Sequence, residues 1–312
     1  MKSFTVNKSD AGQRLDRLLK KKYPALPNSL MYKEIRKKNI KVNKKRCDAA
    51  YTLALGDTVE LYLKDDVLQE KKAYYDFMRA PKEIDIIYED GNLMLINKKA
   101  GILCHPDGKE YVNTLISSVK RRLYESGEWE PENSSFTPAL ANRLDRNTAG
   151  IIIAAKNAAA LKELNCAIKN RSIEKHYLAA VHGEFKIKSA VLEAYITKDE
   201  KKNTVTVFDN ETKNAKKIIT KYTVIDSYGG KSLIDIDLIT GRTHQIRAHM
   251  AHIGHSLIDD GKYGKESGRF RQALCSYKLI FKGGFNLLSY MTGREFTLKD
   301  CEIYNKFKER KY

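Results

Sequence analysis

The sequence predicts an α+β protein, in which a larger domain is built on a mainly antiparallel mixed sheet with flanking helices and a small N-terminal domain is α/β. Three observations support this fold class. Several segments alternate apolar and polar residues, as half-buried strands do. Fewer segments repeat apolar residues every three or four positions, as helices do. Hydrophobic residues make up 42% and charged residues 31% of the 312 residues, which is typical of globular chains.

The N-terminal segment predicts two short helices followed by two strands. The first helix covers about residues 11–23 and carries a stripe of leucines. The second helix begins near Asn28, a residue type that often caps helices. Strands are predicted over 40–43 and 58–63.

The rest of the chain predicts a linker and then a sheet-rich domain. Residues 65–83 mix charged and aromatic side chains without a clear period, so they predict a linker. A hairpin over 84–96 follows, and a helix is predicted over about 157–170. Further strands are predicted over 150–155, 175–181, 217–225 and 232–239. The predicted domains are therefore residues 1–64 and 84–312.

Positive charge is concentrated near the N-terminus. The chain carries 57 Lys and Arg against 39 Asp and Glu, a net charge of +18, and residues 14–46 alone carry +11. Like charges at this density repel one another unless a polyanion lies against them, so nucleic acid is the expected partner. A membrane surface and a basic face that meets only solvent are the alternatives. The cations expected to contact the nucleic acid in this segment are Arg14, Arg36, Lys37, Lys38 and Lys41.

Several protein classes are not expected. No apolar run approaches the roughly 18 residues of a membrane span, and the N-terminal residues lack the apolar segment of a secretory signal. The five cysteines are scattered and form no CxxC pair, which favours reduced thiols in the cytoplasm over disulfides or a zinc ribbon. We expect a monomer that needs no cofactor and no metal ion.

An acid, Asp145, lies between Arg143 and Arg146 just before the apolar run 151–153. Acids and arginines usually lie at the surface, and burying them at the entrance of a strand is costly unless they pair. Neighbouring guanidinium groups favour the ionised carboxylate, which can act as a nucleophile or as a base. A structural ion pair at the strand entrance is the alternative.

Five motifs, in the same order, resemble those of the RluA-type pseudouridine synthase family. The run NRLDRNTAG at 142–150 resembles the family's HRLDxxTSG, with Asn142 in place of His and Ala149 in place of Ser. The other four motifs are INKKAGILCHP at 96–106, KHY at 175–177, GRTHQIRAH at 241–249 and GHSLIDD at 254–260. Each motif is weak alone, but the ordered set is specific.

The N-terminal segment resembles the S4-type RNA-binding module. The matching residues are 12–16, 35–43 and 56–59. In that module the second helix and the turn after it lie against RNA phosphates. A synthase with an S4-like module resembles the RluC and RluD branches of the family, which implies large-subunit (23S) ribosomal RNA as the substrate.

The resemblance implies an enzyme that isomerises uridine to pseudouridine, a reaction without a redox step. Asp145 would either attack C1′ of the ribose or remove the C2′ proton, and both routes stay open. Arg247 would pair with Asp145 and hold it in place. Tyr177 would stack on the uracil, and Arg143 would fill the gap that the flipped base leaves. The alternatives are a surface ion pair for Arg247, core packing for Tyr177 and a structural partner of Asp145 for Arg143.

Two further residues, Arg242 and His244, are expected to contact RNA. Four histidines lie within residues 244–255, and their spacing permits a metal site as the alternative. Two other function classes are alternatives to the synthase. A non-catalytic RNA-binding or ribosome-assembly factor would have no need for Asp145, Tyr177 and Arg247 together. A phosphodiester hydrolase would require a divalent metal ion.

Overall fold

The computed structural model of the protein describes all residues except 1, 7–9, 24–25, 65–67, 69–74, 133, 135, 201 and 265–270. The chain divides into two compact units. The N-terminal unit comprises Met1–Arg79 and Arg121–Thr137, and the C-terminal unit comprises Ala80–Lys120 and Pro138–Tyr312. Much of the predicted linker, residues 65–67 and 69–74, lies outside the described residues.

In the N-terminal unit, two helices and a four-stranded antiparallel sheet share one apolar core. The helices are α1 (Leu15–Lys22) and α2 (Asn28–Arg36). The sheet has the order β1-β4-β2-β3, with strands β1 (Lys2–Thr5), β2 (Ile40–Val42), β3 (Lys45–Arg46) and β4 (Thr58–Leu61). Leu19, Ile35 and Val59 join the helices to the sheet in this core. The predicted order of two helices followed by strands is confirmed for the segment from α1 to β4, while the strand β1 before the helices and the short β3 were not predicted.

The first helix begins later than predicted. The backbone N–H of Gly12 donates to the carbonyl of Leu53 at 2.8 Å, so the segment before α1 pairs with a later loop. Gly12 has a φ of 81°, a left-handed conformation that glycine adopts readily and that a helix cannot contain. Asn28 was expected at the cap but is the first helical residue, and Pro27 occupies the cap position.

An aromatic cluster forms a second packed region of the N-terminal unit. Tyr75 and Phe77 stack with their ring centres 4.9 Å apart, and Tyr124 and Trp129 pack against Phe77. Tyr75 and Phe77 fall in the predicted linker, so the end of that segment is packed within this unit. The predicted domain limits otherwise stay a prediction.

The C-terminal unit is built on an eleven-stranded mixed sheet with flanking helices. Nine strands follow the order β11-β10-β12-β13-β9-β14-β8-β6-β5, while β15 pairs with β14 and β7 pairs with β8. The strands are β5 (Ile86–Glu89), β6 (Leu93–Lys98), β7 (Ala139–Leu140), β8 (Ala149–Ala155), β9 (Ile173–His182), β10 (Ser189–Asp199), β11 (Thr204–Phe208), β12 (Lys216–Tyr228), β13 (Lys231–Leu238), β14 (Leu274–Phe281) and β15 (Glu295–Thr297). The helices are α3 (Leu115–Glu125), whose last residues belong to the N-terminal unit, α4 (Ala158–Lys169), α5 (Gln245–His252) and α6 (Glu302–Lys308).

The predicted fold class is confirmed. Among the described strand pairs only β8 and β14 run parallel, so the sheet is mixed and mainly antiparallel. The predicted hairpin over 84–96 is present as β5–β6, and the strands predicted over 217–225 and 232–239 pair as the hairpin β12–β13. The sequence analysis missed the hairpin of β10 and β11, the strand β14 and the helices α3 and α6. Within the described part of the chain, no helix is both long and apolar enough to span a bilayer.

The parallel pair β8 and β14 fixes the place of the candidate site. A Cβ atom on Gly150 would lie 2.2 Å from the carbonyl oxygen of Ser276, and Gly150 has a φ of 119°, so only glycine fits this close approach. Asp145 lies in the loop before β8, and Tyr177 on β9 pairs with Ser276 on β14. Because β14 lies between β8 and β9, the strand order brings Asp145, just before β8, and Tyr177, on β9, to the same cavity.

Candidate active site

Asp145 lies in the loop between β7 and β8 and lines a cavity of about 910 Å³. The loop is tied to the sheet at its start, because the side-chain oxygen of Asn142 accepts a hydrogen bond from the Ile153 N–H at 2.8 Å. A tight turn follows, in which the Thr148 N–H donates to the Asp145 carbonyl at 3.1 Å. The Asp145 side chain is 27% exposed and so remains accessible from the cavity.

A second segment, residues 98–104, holds this loop on both sides of Asp145. The Lys98 side chain is buried, and its Nζ donates to the carbonyls of Lys99, Ile102 and Arg146 at 2.9–3.1 Å. The thiol of Cys104 lies 3.3 Å from both the N–H and the carbonyl oxygen of Leu144. The residues before and after Asp145 are therefore fixed, which limits the positions that its carboxylate can adopt.

We expect the deprotonation of Lys98 to lower kcat at alkaline pH. Burial lowers the pKa of Lys98 to about 8, and the neutral amine has two N–H donors for three carbonyls. We expect kcat to fall about fivefold as the pH rises through this value, since one hydrogen bond on the Asp145 loop is worth about 1 kcal/mol. The pH profile of Lys98→Met should lack this step. An unchanged profile in that variant would contradict this role for Lys98.

Arg247 on α5 connects Asp145 to a buried acid. Its Nη1 donates to Asp145 Oδ2 at 2.9 Å, while Nε and Nη2 donate to the two oxygens of Asp260 at 2.7 and 2.8 Å. The Asp260 side chain is fully buried and the Arg247 side chain is 9% exposed. Burial opposes ionisation of Asp260, but the hydrogen bonds from Arg247 outweigh it and lower the pKa of Asp260. The structure thus places Arg247 next to Asp145, where the resemblance put it.

Asp260 and the turn that it organises were missed by the sequence analysis. Asp260 Oδ1 also accepts the backbone N–H groups of Lys262 and Tyr263 at 3.0 and 3.2 Å, which closes a turn. A Cβ on Gly264 would lie 2.5 Å from the Asp260 carbonyl oxygen, so this turn requires glycine. The two acids followed by two glycines were the available signal for such a turn. Tyr263 lies in this turn, and its ring centre is 5.2 Å from the Arg247 guanidinium.

Tyr177 lies in the middle of β9, and its side chain lines the cavity. Its side chain is 5% exposed and belongs to the cavity lining together with Asp145. Burial raises the pKa of Tyr177 far above its ordinary value, so its hydroxyl stays protonated throughout the physiological range. Tyr177 therefore offers an aromatic face and a hydroxyl donor, but no phenolate.

The cavity wall carries several cations. Arg143 and Arg242 are exposed and line the opening, as does the partly buried His244. Three lysines that the sequence analysis did not single out also line it, namely Lys175, Lys198 and Lys262. Lys198 lies near the tip of the missed β10–β11 hairpin, and the Lys262 ammonium donates to the carbonyl of Asn203 in that tip at 2.7 Å. This wall suits a polyanionic chain.

The predicted RNA contacts of the N-terminal unit lie on α2, the turn after it and β2, apart from Arg14. Arg14 precedes α1 and pairs with Asp16 at 2.7 Å. Arg36, Lys37 and Lys38 are exposed, and Lys41 lies over the ring of Tyr62 with its Nζ 5.2 Å from the ring centre. Four of the five cations thus lie on one continuous segment of the unit.

The histidines have other partners. His249 lies 3.0 Å from the Thr220 hydroxyl, His252 lies 2.7 Å from Asp209, and His255 Nδ1 lies 2.9 Å from the His182 carbonyl. Among the described residues, no group of three His, Cys, Asp or Glu side chains is arranged to hold a metal ion.

Comparisons with known proteins agree with this geometry. The family model described as RNA pseudouridylate synthase matches residues 92–252, and the S4 domain model matches residues 13–59. The chain is 34% identical over 268 residues to the ribosomal large subunit pseudouridine synthase C of Vibrio vulnificus, which covers 83% of this chain and 79% of that protein. It is also 34% identical to an uncharacterized RNA pseudouridine synthase of Mycoplasma genitalium, over 89% of this chain and 88% of that protein.

Solved structures show the same fold. Human RNA pseudouridylate synthase domain containing 4 aligns with a TM-score of 0.57 at 18% identity and covers 72% of this chain and 92% of that chain. Human RNA pseudouridylate synthase domain containing 1 aligns with a TM-score of 0.52 at 20% identity, over 73% of this chain and 95% of that chain. Because the family model covers more than half of the sequence, this chain belongs to the RNA pseudouridylate synthase family and carries an S4 domain before its synthase region.

Proposed function

We propose that this protein isomerises uridines of large-subunit ribosomal RNA to pseudouridine through Asp145. The observation that carries the proposal is the carboxylate of Asp145, held by Arg247 and exposed to a cavity that Tyr177 also lines. Relatives named as ribosomal large subunit pseudouridine synthases support the choice of RNA. The S4 domain and the positive charge of residues 14–46 support it as well.

The proposed chemistry uses one carboxylate oxygen. Asp145 Oδ2 is occupied by Arg247, whereas Oδ1 accepts no hydrogen bond from any described residue, so Oδ1 is the oxygen that we expect to react. It either attacks C1′ or removes the C2′ proton, and the N1–C1′ bond breaks in both routes. The detached uracil then turns and its C5 bonds to C1′. In the first route the bond between Asp145 and C1′ breaks in this step, and in the second route Asp145 returns the proton to C2′. C5 then loses its proton and N1 gains one. Because no atom is added or removed, no external reactant is consumed.

The other residues bind the RNA and the base. The target uridine must leave the helix to reach Asp145, and the exposed guanidinium of Arg143 is suited to fill its place. The buried ring of Tyr177 offers a stacking face for the uracil, while Arg242 and His244 line the path of the backbone. Five free cysteines support a cytoplasmic location.

Pseudouridine mapping tests the proposal. Ribosomal and transfer RNA from cells with and without the gene should differ at one or a few uridines of the large-subunit RNA, and the purified protein should restore them. A difference confined to transfer RNA would contradict the proposed substrate. Unchanged RNA in both cases would favour a non-catalytic assembly factor.

The basic segment of the N-terminal unit should control the salt dependence of RNA binding. Four cations on α2, the following turn and β2 should each neutralise one phosphate, so replacing all four by Gln should lower the slope of log K against log salt by about three. These cations are Arg36, Lys37, Lys38 and Lys41. The slope is measured by titrating ribosomal RNA fragments with the full-length protein between low and physiological salt.

A matched variant separates local contacts from net charge. It neutralises four exposed lysines of the C-terminal unit that do not line the cavity, namely Lys213, Lys216, Lys221 and Lys299. Both variants lose four positive charges. Only the variant that changes the basic segment of the N-terminal unit should lose most of the slope of log K against log salt. Equal slopes in the two variants would show that the basic segment acts only through the protein's overall charge.

A further inference from the structure

The hydroxyl of Tyr263 lies between a backbone donor and an imidazole. The Val205 N–H donates to the Tyr263 oxygen at 2.9 Å, and a backbone N–H has no other role available. His244 Nδ1 lies 2.8 Å from the same oxygen. Since the hydroxyl proton needs an acceptor, and His244 Nδ1 is the acceptor among the described residues, Tyr263 donates its proton to Nδ1.

The surroundings of Nε2, on the other side of the His244 ring, point to the same tautomer. His244 Nε2 lies 3.7 Å from Asp145 Oδ2, so a proton on Nε2 faces a carboxylate, whereas a bare lone pair there would face negative charge. Burial, with Arg247 and Lys262 nearby, lowers the pKa of His244 although Asp145 opposes this, so the neutral ring dominates at physiological pH. A neutral ring with an acceptor at Nδ1 and a donor at Nε2 satisfies both neighbours.

We propose that Tyr263 is a positioning residue that locks His244 in its Nε2–H tautomer and aims this proton at Asp145 Oδ2. Arg247 already donates to this oxygen at 2.9 Å, and a shift of about 0.7 Å would bring Nε2 within hydrogen-bond distance as well. Two donors then occupy Oδ2 and turn Oδ1 towards the substrate. This inference rests on the proposed function of Asp145 and assigns His244 a role beyond RNA contact.

The turn that carries Tyr263 supports this role. Asp260 closes that turn and also holds Arg247, so one buried acid sets the positions of Arg247, which reaches Asp145 Oδ2, and of Tyr263, which holds His244. The Tyr263 ring packs beside the Arg247 guanidinium, and its hydroxyl is anchored on β11. The arrangement therefore fixes the direction in which Tyr263 can donate.

The experiment removes only the hydroxyl. Tyr263→Phe keeps the ring beside Arg247, and we expect kcat for pseudouridine formation to fall about tenfold with little change in KM, because one oriented donor to Asp145 is lost. The control is Tyr222→Phe, which removes a hydroxyl that donates to the Ile187 carbonyl outside the cavity lining and should keep wild-type kcat. Nitrogen-15 NMR of the full-length protein, with His244 assigned through His244→Gln, should show Nε2–H in the wild type and a shift towards Nδ1–H in Tyr263→Phe.

A double-mutant cycle decides whether Tyr263 acts through His244. In a His244→Gln background, Tyr263→Phe should cause almost no further loss of kcat, whereas a purely structural tyrosine would cause the same loss in both backgrounds. An Nδ1–H tautomer in the wild type, or equal losses in the two backgrounds, would overturn the inference. If the wild type formed no pseudouridine at all, the proposed function would fail, while the NMR measurement would still decide the tautomer.

Discussion

Replacing Asp145 by Asn should abolish pseudouridine formation, with a loss of at least about a thousandfold in kcat, while RNA affinity stays within a few-fold. The amide is neutral and cannot act as a nucleophile or a base in either route. Phosphate contacts from Lys and Arg dominate RNA affinity, and the substitution removes none of them. Single-turnover assays and RNA titrations with the purified variant measure the two effects separately.

The Asp145→Asn protein should remain folded. Arg247 keeps its two hydrogen bonds to buried Asp260, so the substitution leaves no charge buried without a partner. Asp107→Asn is the matched control, because Asp107 also lines the cavity but caps the backbone N–H groups of Lys109 and Glu110 instead of meeting Arg247. Wild-type turnover by Asp145→Asn would refute the proposed mechanism. A comparable loss of turnover in Asp107→Asn would show that the effect is not specific to Asp145.

Replacing Arg247 by Met should reduce turnover far more than replacing Arg242 by Met, and only the first change should destabilise the fold. Arg247 compensates a fully buried carboxylate, and removing one partner of such a pair costs about 3–5 kcal/mol. For a chain of this size this cost lowers the melting temperature by about 5–8 °C. Arg242 is exposed, so its loss should weaken RNA binding but leave the melting temperature unchanged.

The pH dependence of stability distinguishes the loss of the buried charge pair from a simple loss of packing. In the wild type the pKa of Asp260 is lowered, so the pair stabilises the fold above the unfolded pKa near 4 and this stabilisation is lost as the pH falls below it. In Arg247→Met, burial without a cation should raise the Asp260 pKa above its unfolded value. The loss of unfolding free energy in Arg247→Met, relative to the wild type, should therefore be smallest near pH 4 and grow as the pH rises. A deficit that does not change with pH would point to lost packing alone.

Local features of the fold could be predicted from the sequence because they depend on neighbouring residues. The β12–β13 hairpin turns at Gly229 and Gly230, both with positive φ, and such turns are encoded by adjacent glycines. The helix α4 begins after Asn157, close to its predicted start, and the Asn157 side chain caps it by accepting the Ala160 N–H at 2.9 Å. By contrast, α1 begins later than its leucines suggested because Gly12 pairs with a distant loop.

The missed elements depend on distant partners. The strand β14 gains its place by pairing with β8 in parallel and with β9, and neither partner is near it in sequence. Lys98 is a lysine in an apolar strand, and its type suggested a surface position. Its place on the same strand face as Met94 and Ile96, both buried, was the signal that it points inward.

The sequence by itself determined the fold class, the basic N-terminal segment and the choice of Asp145 as the proposed catalytic acid, because composition, local periodicity and the order of short motifs are all written along the chain. Only the tertiary structure decided which groups surround that acid. Arg247 and Asp145 are 102 positions apart, and a contact at such separation depends on how the whole sheet is assembled. Asp260 and Tyr263 gain their roles solely from being buried beside Arg247, since burial is what turns a surface residue type into a partner that the site requires.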